Sequence, residues 1–186
     1  MPIDHRLNFK NFLRLLILKN PTWVRDFAGA WIFYTVIPAF PGIKPRFKRI
    51  ARFAPLIGLA IGLVQGGAWF LLAQINWSKE ALALLSVGFG IWITGGLHLD
   101  GLMDTADGLA ASKEKCIEAM KDSRIGASGV QAVIVIVFIQ LAALIKLDTF
   151  APIAIPIATF WARCAPLWAI EKFPYLNTNG LGAFHS

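Results

Sequence analysis

From Phe53 to Ile75 the chain runs for 23 residues without a charged side chain. A helix of about 20 apolar residues matches the roughly 30 Å hydrocarbon core of a bilayer. A helix also satisfies its own backbone N–H and C=O groups where no water can do so. This run is therefore the first membrane span. Ala81 to Leu97 is a second, shorter one that ends in Thr94-Gly95-Gly96. Gly126 to Ile145 is a third, rich in Val and Ile. Thr149 to Ile170 is a fourth, interrupted by Pro152, Pro156 and Pro166 and carrying Arg163. Phe27 to Phe40 is uncharged but too short to cross, and Pro38 and Pro41 close it. It reads as a re-entrant or partly inserted helix. Leu7 to Lys19 mixes Phe9, Phe12, Leu13, Leu16 and Ile17 with Lys10, Arg14 and Lys19. That pattern fits a basic amphipathic helix on the membrane surface and equally an N-terminal helix packed on the domain.

Composition agrees with this reading. Charged residues make up 16% of the chain, against about 25% in soluble domains. The fold class expected is all-α: a polytopic integral membrane helical bundle with a re-entrant or interfacial N-terminal region. It forms one membrane domain over 1–186. Its parts are the N-terminal region 1–52, two spans in 53–97, a segment 98–125, two spans in 126–170 and a polar tail 171–186.

The net charge is +7, and the basic residues cluster beside apolar runs. Anionic lipid headgroups and a phosphorylated substrate suit that placement better than nucleic acid. Lys44, Arg46, Lys48, Arg49 and Arg52 precede the first span. Lys113, Lys115, Lys121 and Arg124 separate the second from the third. The opposite turns hold only Lys79 and Lys146. The positive-inside rule then puts the segment from His98 to Arg124 at the cytoplasmic side of the inner, or plasma, membrane. The N-terminus MPIDHRLNFK has no signal-peptide cleavage pattern, so insertion is expected through the internal apolar segments. Cys116 and Cys164 form no metal-spaced set and read as two unpaired thiols.

The chemistry concentrates in Gly95-Gly96-Leu97-His98-Leu99-Asp100-Gly101-Leu102-Met103-Asp104-Thr105-Ala106-Asp107-Gly108-Leu109. At about 100° per residue, Asp104 lies about 40° from Asp100 and Asp107 about 20° on the other side. The three carboxylates form one stripe. Like charges at these spacings repel on a helix, and at a membrane boundary unpaired carboxylates are costly. A divalent cation removes the conflict. Oxygen ligands that leave room for phosphate oxygens and water are the usual home of Mg²⁺. The competing reading is a solvated acidic face at a helix start. The glycines allow close approach to a bulky phosphate substrate or, equally, helix–helix packing. His98 falls about 160° from Asp100, so it joins the site only if Gly95-Gly96 is not regular helix. Otherwise it caps or faces the surface.

A second motif, Met120-Lys121-Asp122-Ser123-Arg124-Ile125-Gly126, opens the third span. Lys121 and Arg124 suit anionic oxygens, and Ser123 with the free amides of the helix start adds donors. Asp122 is either a further metal ligand or an orienting partner for Arg124. A plain positive-inside anchor beside a helix cap competes with this reading. Lys113 to Met120 reads as a short interfacial helix. Arg163 either snorkels to the surface or faces the bundle interior as a phosphate ligand.

Taken together, GGLHLDGLMDTADGL and MKDSRIGASGV closely resemble the cobalamin synthase family, adenosylcobinamide-GDP ribazoletransferase. FYTVIP, RFAPLIGLAIG, FWARCAPLW and GLGAF support the resemblance, which covers most of the chain from Phe33 onward. It implies a Mg²⁺-dependent membrane transferase of late vitamin B12 (cobalamin) biosynthesis. Such enzymes join adenosylcobinamide-GDP to α-ribazole or its 5′-phosphate and release GMP. It further implies that Asp100, Asp104 and Asp107 bind metal and that one of them or His98 takes the hydroxyl proton. Lys121, Asp122, Ser123 and Arg124 would bind phosphate or organise the site.

Two departures stand out. Family members continue past the position of Ser186 with further apolar helices. Tyr175-Leu176-Asn177 also lacks the basic residue that often follows the tyrosine, so no role is carried over there. The nearest rival is a CDP-alcohol phosphotransferase of lipid synthesis, whose motif has an Ala-Arg pair where this chain reads Asp107-Gly108-Leu109-Ala110-Ala111. An ion transporter using the aspartates is a rival of another class, but it leaves the Lys- and Arg-rich motif without a purpose. The subunit number is open, and a homo-oligomer is allowed.

Overall fold

The computed structural model describes residues 20–38 and 40–173. The segment Leu7 to Lys19, the Tyr175-Leu176-Asn177 position and the terminal GLGAF fall outside them. Among the described residues all regular structure is helical. Helix α1 is Thr22–Tyr34. A 3₁₀ turn, Ile50–Phe53, leads into α2, Ala54–Gln74. Then come α3, Lys79–Ile93; α4, Leu97–Ala110; α5, Cys116–Lys121; and α6, Ala127–Leu147. A second 3₁₀ turn, Asp148–Phe150, precedes α7, Ala151–Lys172.

Two stretches are long and apolar enough to cross a membrane, Ile50–Gln74 and Ala127–Lys172, and α3 with α4 passes the same test as a bent pair. At 1.5 Å per residue the 21 residues of α2 reach roughly 31 Å, the thickness of a hydrocarbon core. Large apolar side chains point outward along these helices, among them Leu71, Phe138, Ile139, Ile153 and Trp161. In water such a surface promotes association; in a bilayer it is the lipid face. This is an all-α membrane protein.

Three sequence boundaries are corrected. The short apolar run taken from Phe27 to Phe40 is helical from Thr22 and stops at Tyr34. Thr35 ends it in an extended conformation, with its hydroxyl donating to the Trp31 carbonyl at 2.7 Å, so the prolines are not what stops the helix. The expected span Ala81 to Leu97 is not one straight crossing. Ser78 caps α3, accepting from the Ala81 N–H at 3.3 Å, and the helix ends at Ile93. Gly95 and Gly96 both adopt positive φ, 59° and 71°, and α4 leaves at 87° to α3. Lys113 to Met120 yields a helix only from Cys116.

The chain divides into two compact units, 1–58 with 160–186, and 59–159. The second has a core of Trp69, Leu82, Ala83, Ala151 and Ile155, flanked by Leu72, Leu141, Leu144 and Ile145. The ends of α6 and α7 next to the Asp148 turn thus pack on the same cluster. Gly62 and Gly66, four apart on α2, face α7 within this unit. A Cβ on Gly66 would enter the Pro152 carbonyl, and one on Gly62 would meet Pro156 and Thr159. This is the small-residue spacing that brings membrane helices to backbone contact. Gln65, buried beside them, donates to the Ser86 carbonyl at 2.8 Å, which removes the cost of an unpaired amide in an apolar setting. In the first unit, Phe27 and Trp31 of α1 pack against Phe40, and Phe27 also meets Phe53 edge-on.

Candidate active site

Helix α4 is regular from Leu97 to Ala110, so Asp100, Asp104 and Asp107 share one face as the period requires. Their side chains are treated differently by the fold. Asp107 reaches across to the start of α6. Its two oxygens accept from the Gly126 N–H and the Gly129 N–H, both at 2.8 Å. Those N–H groups belong to a helix first turn and have no partner within their own helix. A carboxylate there also meets the positive end of the helix dipole. Glycine is needed at both positions, because a Cβ on Gly126 or Gly129 would press on the Asp107 carboxylate. Gly108, buried next to Asp107, gives room to Met120 of α5 in the same way. The acidic helix, the short α5 and the start of α6 are thereby locked into one assembly.

Asp100 is exposed and Asp104 half-buried. Among the described residues neither side chain makes a hydrogen bond or ion pair. Among those residues no group of three or more His, Cys, Asp and Glu side chains stands as a ready metal cage. The chemistry of the pair nevertheless fits Mg²⁺, which is commonly held by one or two carboxylates and fills its remaining positions with water and substrate phosphate oxygens.

His98 is exposed on α4. The Gly95-Gly96 region is indeed not regular helix, but the break lies before His98. Residues 98 and 100 therefore remain in one regular helix, with their Cβ atoms about 160° apart around its axis. The break does not bring His98 into the carboxylate stripe.

In the second motif, Asp122 is paired with Arg124. Its carboxylate accepts from the Arg124 backbone N–H at 2.9 Å, from Nε at 3.1 Å and from Nη2 at 2.7 Å. The guanidinium hydrogen bonds, with the backbone N–H behind them, hold the Asp122 carboxyl down to about 2 and raise Arg124 in return. Lys121, Ser123 and Arg124 are exposed. The Asp107 contact with Gly126 places this motif immediately beside the acidic helix.

Arg163 lies in the other compact unit, on α7. It does not snorkel. Its side chain is buried, its guanidinium sits 5.6 Å from the centre of the Tyr34 ring, and Nη1 is buried with no hydrogen-bond partner among the described residues. A buried charge with an unsatisfied donor is costly unless an acceptor meets it.

One polar cluster escapes sequence reasoning. Asp26 of α1 is 1% exposed. It accepts from Arg46 Nε at one oxygen and from Arg46 Nη2 and Arg52 Nη2, both at 2.9 Å, at the other. The signal was available: Asp26 is the only acidic residue between positions 5 and 79, and six basic residues lie between 25 and 52. A search for uncharged runs that starts at Phe27 passes it by one residue.

The fold and the two linked motifs define an all-helical membrane protein with an acidic helix set beside a basic, phosphate-type segment. The chain belongs to the cobalamin-5-phosphate synthase family, whose model matches residues 26–186. It is 58% identical over 170 residues to an adenosylcobinamide-GDP ribazoletransferase of Prochlorococcus marinus strain MIT 9303, covering 90% of this chain and 65% of that protein. A protein of the same name from P. marinus strain SARG is 53% identical, with 90% and 64% covered. One from Synechocystis sp. is 40% identical, with 88% and 64% covered. The chain thus spans somewhat under two thirds of the length of these relatives. No solved structure matches it.

Proposed function

We propose that the chain carries the catalytic segment of a Mg²⁺-dependent adenosylcobinamide-GDP ribazoletransferase. The reaction moves the adenosylcobinamide-phosphate group from adenosylcobinamide-GDP to α-ribazole or its 5′-phosphate. A ribazole hydroxyl oxygen attacks the phosphorus that carries the cobinamide. The phosphoanhydride bond breaks, GMP leaves with its electron pair, and a carboxylate of the acidic face takes the hydroxyl proton. The observation that carries this reading is the Asp107 contact with the amides of Gly126 and Gly129. It sets a carboxylate face next to Lys121, Ser123 and Arg124, the two halves that a diphosphate substrate requires.

Asp100 and Asp104 would hold Mg²⁺, and Asp107 closes the acidic face from its fixed position. The metal, when bound, supplies charge neutralisation for the diphosphate and the leaving phosphate. Lys121, Ser123 and Arg124 bind phosphate oxygens, Arg124 in the orientation that Asp122 imposes. Arg163 offers its orphaned donor to an anionic oxygen in its own unit. His98 stands on the far side of α4 and serves at most the substrate's periphery. By the positive-inside rule the reaction takes place at the cytoplasmic face of the membrane.

The test uses the detergent-purified chain with adenosylcobinamide-GDP, α-ribazole 5′-phosphate and Mg²⁺. GMP release is expected, reduced at least about a hundredfold by Asp104→Asn, the scale of losing a main electrostatic contributor. Absence of GMP release together with CMP release from a CDP-alcohol would replace this reading with the lipid-synthesis one.

A further inference from the structure

Arg46 and Arg52 meet at one oxygen of a buried carboxylate, and this arrangement is hard to explain by stability alone. A buried ion pair is weak evidence for stabilisation, because desolvation offsets much of the attraction. Here one carboxylate faces two guanidiniums, so a full positive charge is left over. The two cations are also brought close together, since both donate to Asp26 Oδ2 at 2.9 Å. Between positions 5 and 79 the sequence offers no other acid to balance them, while Lys44, Lys48 and Arg49 add to the same sign.

The pair is held in place from several directions. Arg52 lies over the Phe53 ring, 4.6 Å from its centre. The strand of backbone that carries Arg46 is strapped to α1: the Arg46 N–H donates to the Arg25 carbonyl at 2.9 Å, and Arg25 Nε donates to the Lys44 carbonyl at 3.1 Å. Gly29 makes the strap fit, because a Cβ there would run into the Arg46 carbonyl. Yet the guanidiniums are not sealed. The Arg46 and Arg52 side chains are 37% and 44% exposed while Asp26 beneath them is 1% exposed. Asp26 uses Nε and Nη2 of Arg46 and Nη2 of Arg52. Among the described residues no acceptor meets Nη1 of either arginine or Nε of Arg52, which leaves these donors for another acceptor.

We propose that Arg46 and Arg52, fixed side by side on Asp26, form a binding site for a phosphate group. Planar guanidinium forks match phosphate oxygens in pairs, and fixing them beforehand removes the ordering cost that flexible surface arginines carry. The incoming anion balances the leftover charge. The site stands at the entrance to the first membrane span, so its phosphate comes either from an anionic lipid headgroup or from a soluble diphosphate. It is independent of the α4 site and of the reaction proposed there.

The test measures binding to the detergent-purified chain in EDTA and in a Lys121→Gln/Ser123→Ala/Arg124→Gln background, so that the side chains of the α4–α6 phosphate motif contribute nothing. Two probes are titrated by thermal shift: inorganic pyrophosphate, and short-chain phosphatidylglycerol against phosphatidylcholine of the same chain length. Saturable stabilisation by at least one probe is expected, weakened about tenfold or more by Arg52→Gln, the loss of one charge-assisted contact. Arg52→Gln leaves the Asp26–Arg46 pair intact, so the variant remains folded. A circular dichroism melt without ligand confirms this. Stabilisation by phosphatidylglycerol alone assigns the lipid source, and stabilisation by pyrophosphate alone assigns the soluble one. The proposal is overturned if neither probe binds, or if Arg52→Gln binds both as tightly as its parent.

Discussion

A carboxylate that accepts two backbone N–H groups at a helix start satisfies donors that the helix itself cannot. Asp107 does so from 19 and 22 residues away, and this separates it from its neighbours on the stripe. Asp107→Asn replaces one acceptor oxygen with a donor that faces another donor. A loss of about 1.5–3 kcal/mol is expected for a hydrogen bond to a charged group. Asp104→Asn, at a carboxylate without a hydrogen-bond partner among the described residues, should leave unfolding nearly unchanged while abolishing GMP release. Chemical denaturation of both variants in detergent checks the pair; equal stability would reduce Asp107 to one more member of the stripe. The stripe itself was legible because helical period fixes it. The partner of Asp107 was not, since nothing local ties position 107 to 126 and 129.

Asp26 makes a second prediction at this scale. The Arg46 hydrogen bond, with the nearby arginine charges, holds its carboxyl below the usual value against the opposing effect of burial. A carboxyl depressed on folding stabilises the fold above its unfolded pKa, about 3.9. That contribution disappears as pH falls through the lower folded value. Stability of the wild type should therefore fall below about pH 4 more steeply than that of Asp26→Asn, which has already lost the charged interaction. Thermal melts between pH 7 and 2.5 would show the two curves converging. Parallel curves would mean that the ion cluster has no energetic part in folding.

Elements are shaped here by glycines that sequence reading could locate but not interpret. Gly95-Gly96 looked like the end of a span, and it is instead a turn between two helices at 87°. Gly96 has φ 71° and no heavy atom within 4 Å of where a Cβ would sit. Its requirement is therefore conformational rather than steric. Gly96→Asn should cost little, because Asn visits the left-handed region. Gly96→Val should cost about 1–2 kcal/mol. Gly66 is the opposite case, a helical glycine whose Cβ would enter the Pro152 carbonyl. There Gly66→Ala already forces backbone movement, with an expected loss of about 1–3 kcal/mol. Similar effects at both glycines would contradict this division. Hydrophobic runs revealed the existence of the long helices, whereas their ends depended on Ser78, Thr35 and positive-φ glycines, which a run of apolar residues does not encode.

For the whole molecule the consequence is topological. Helix α3 has 15 residues, about 22 Å at 1.5 Å per residue, which falls short of a core of about 30 Å. Because α4 turns away at 87°, it adds almost nothing to the distance crossed. The acidic face then sits where a phosphorylated, water-borne substrate can reach it only if the α3–α4 pair completes its crossing at the basic side. The positive-inside rule predicts this, since Lys113, Lys115, Lys121 and Arg124, like Lys44 to Arg52, form a basic stretch beside an apolar run. Single cysteines at exposed Lys79 and Ser112, in a background with Cys116→Ser and Cys164→Ser, report the answer. A membrane-impermeant maleimide should label position 79 in intact spheroplasts and position 112 only in inverted vesicles. Labelling of both from the same side would make α3–α4 a re-entrant pair. Labelling of 112 in intact spheroplasts would put the acidic helix on the wrong face for a cytoplasmic reaction. The bend at Gly95-Gly96 makes the experiment decisive, because a pair of helices meeting at 87° is either a broken span or a re-entrant loop, and the two differ in the side on which position 112 is labelled.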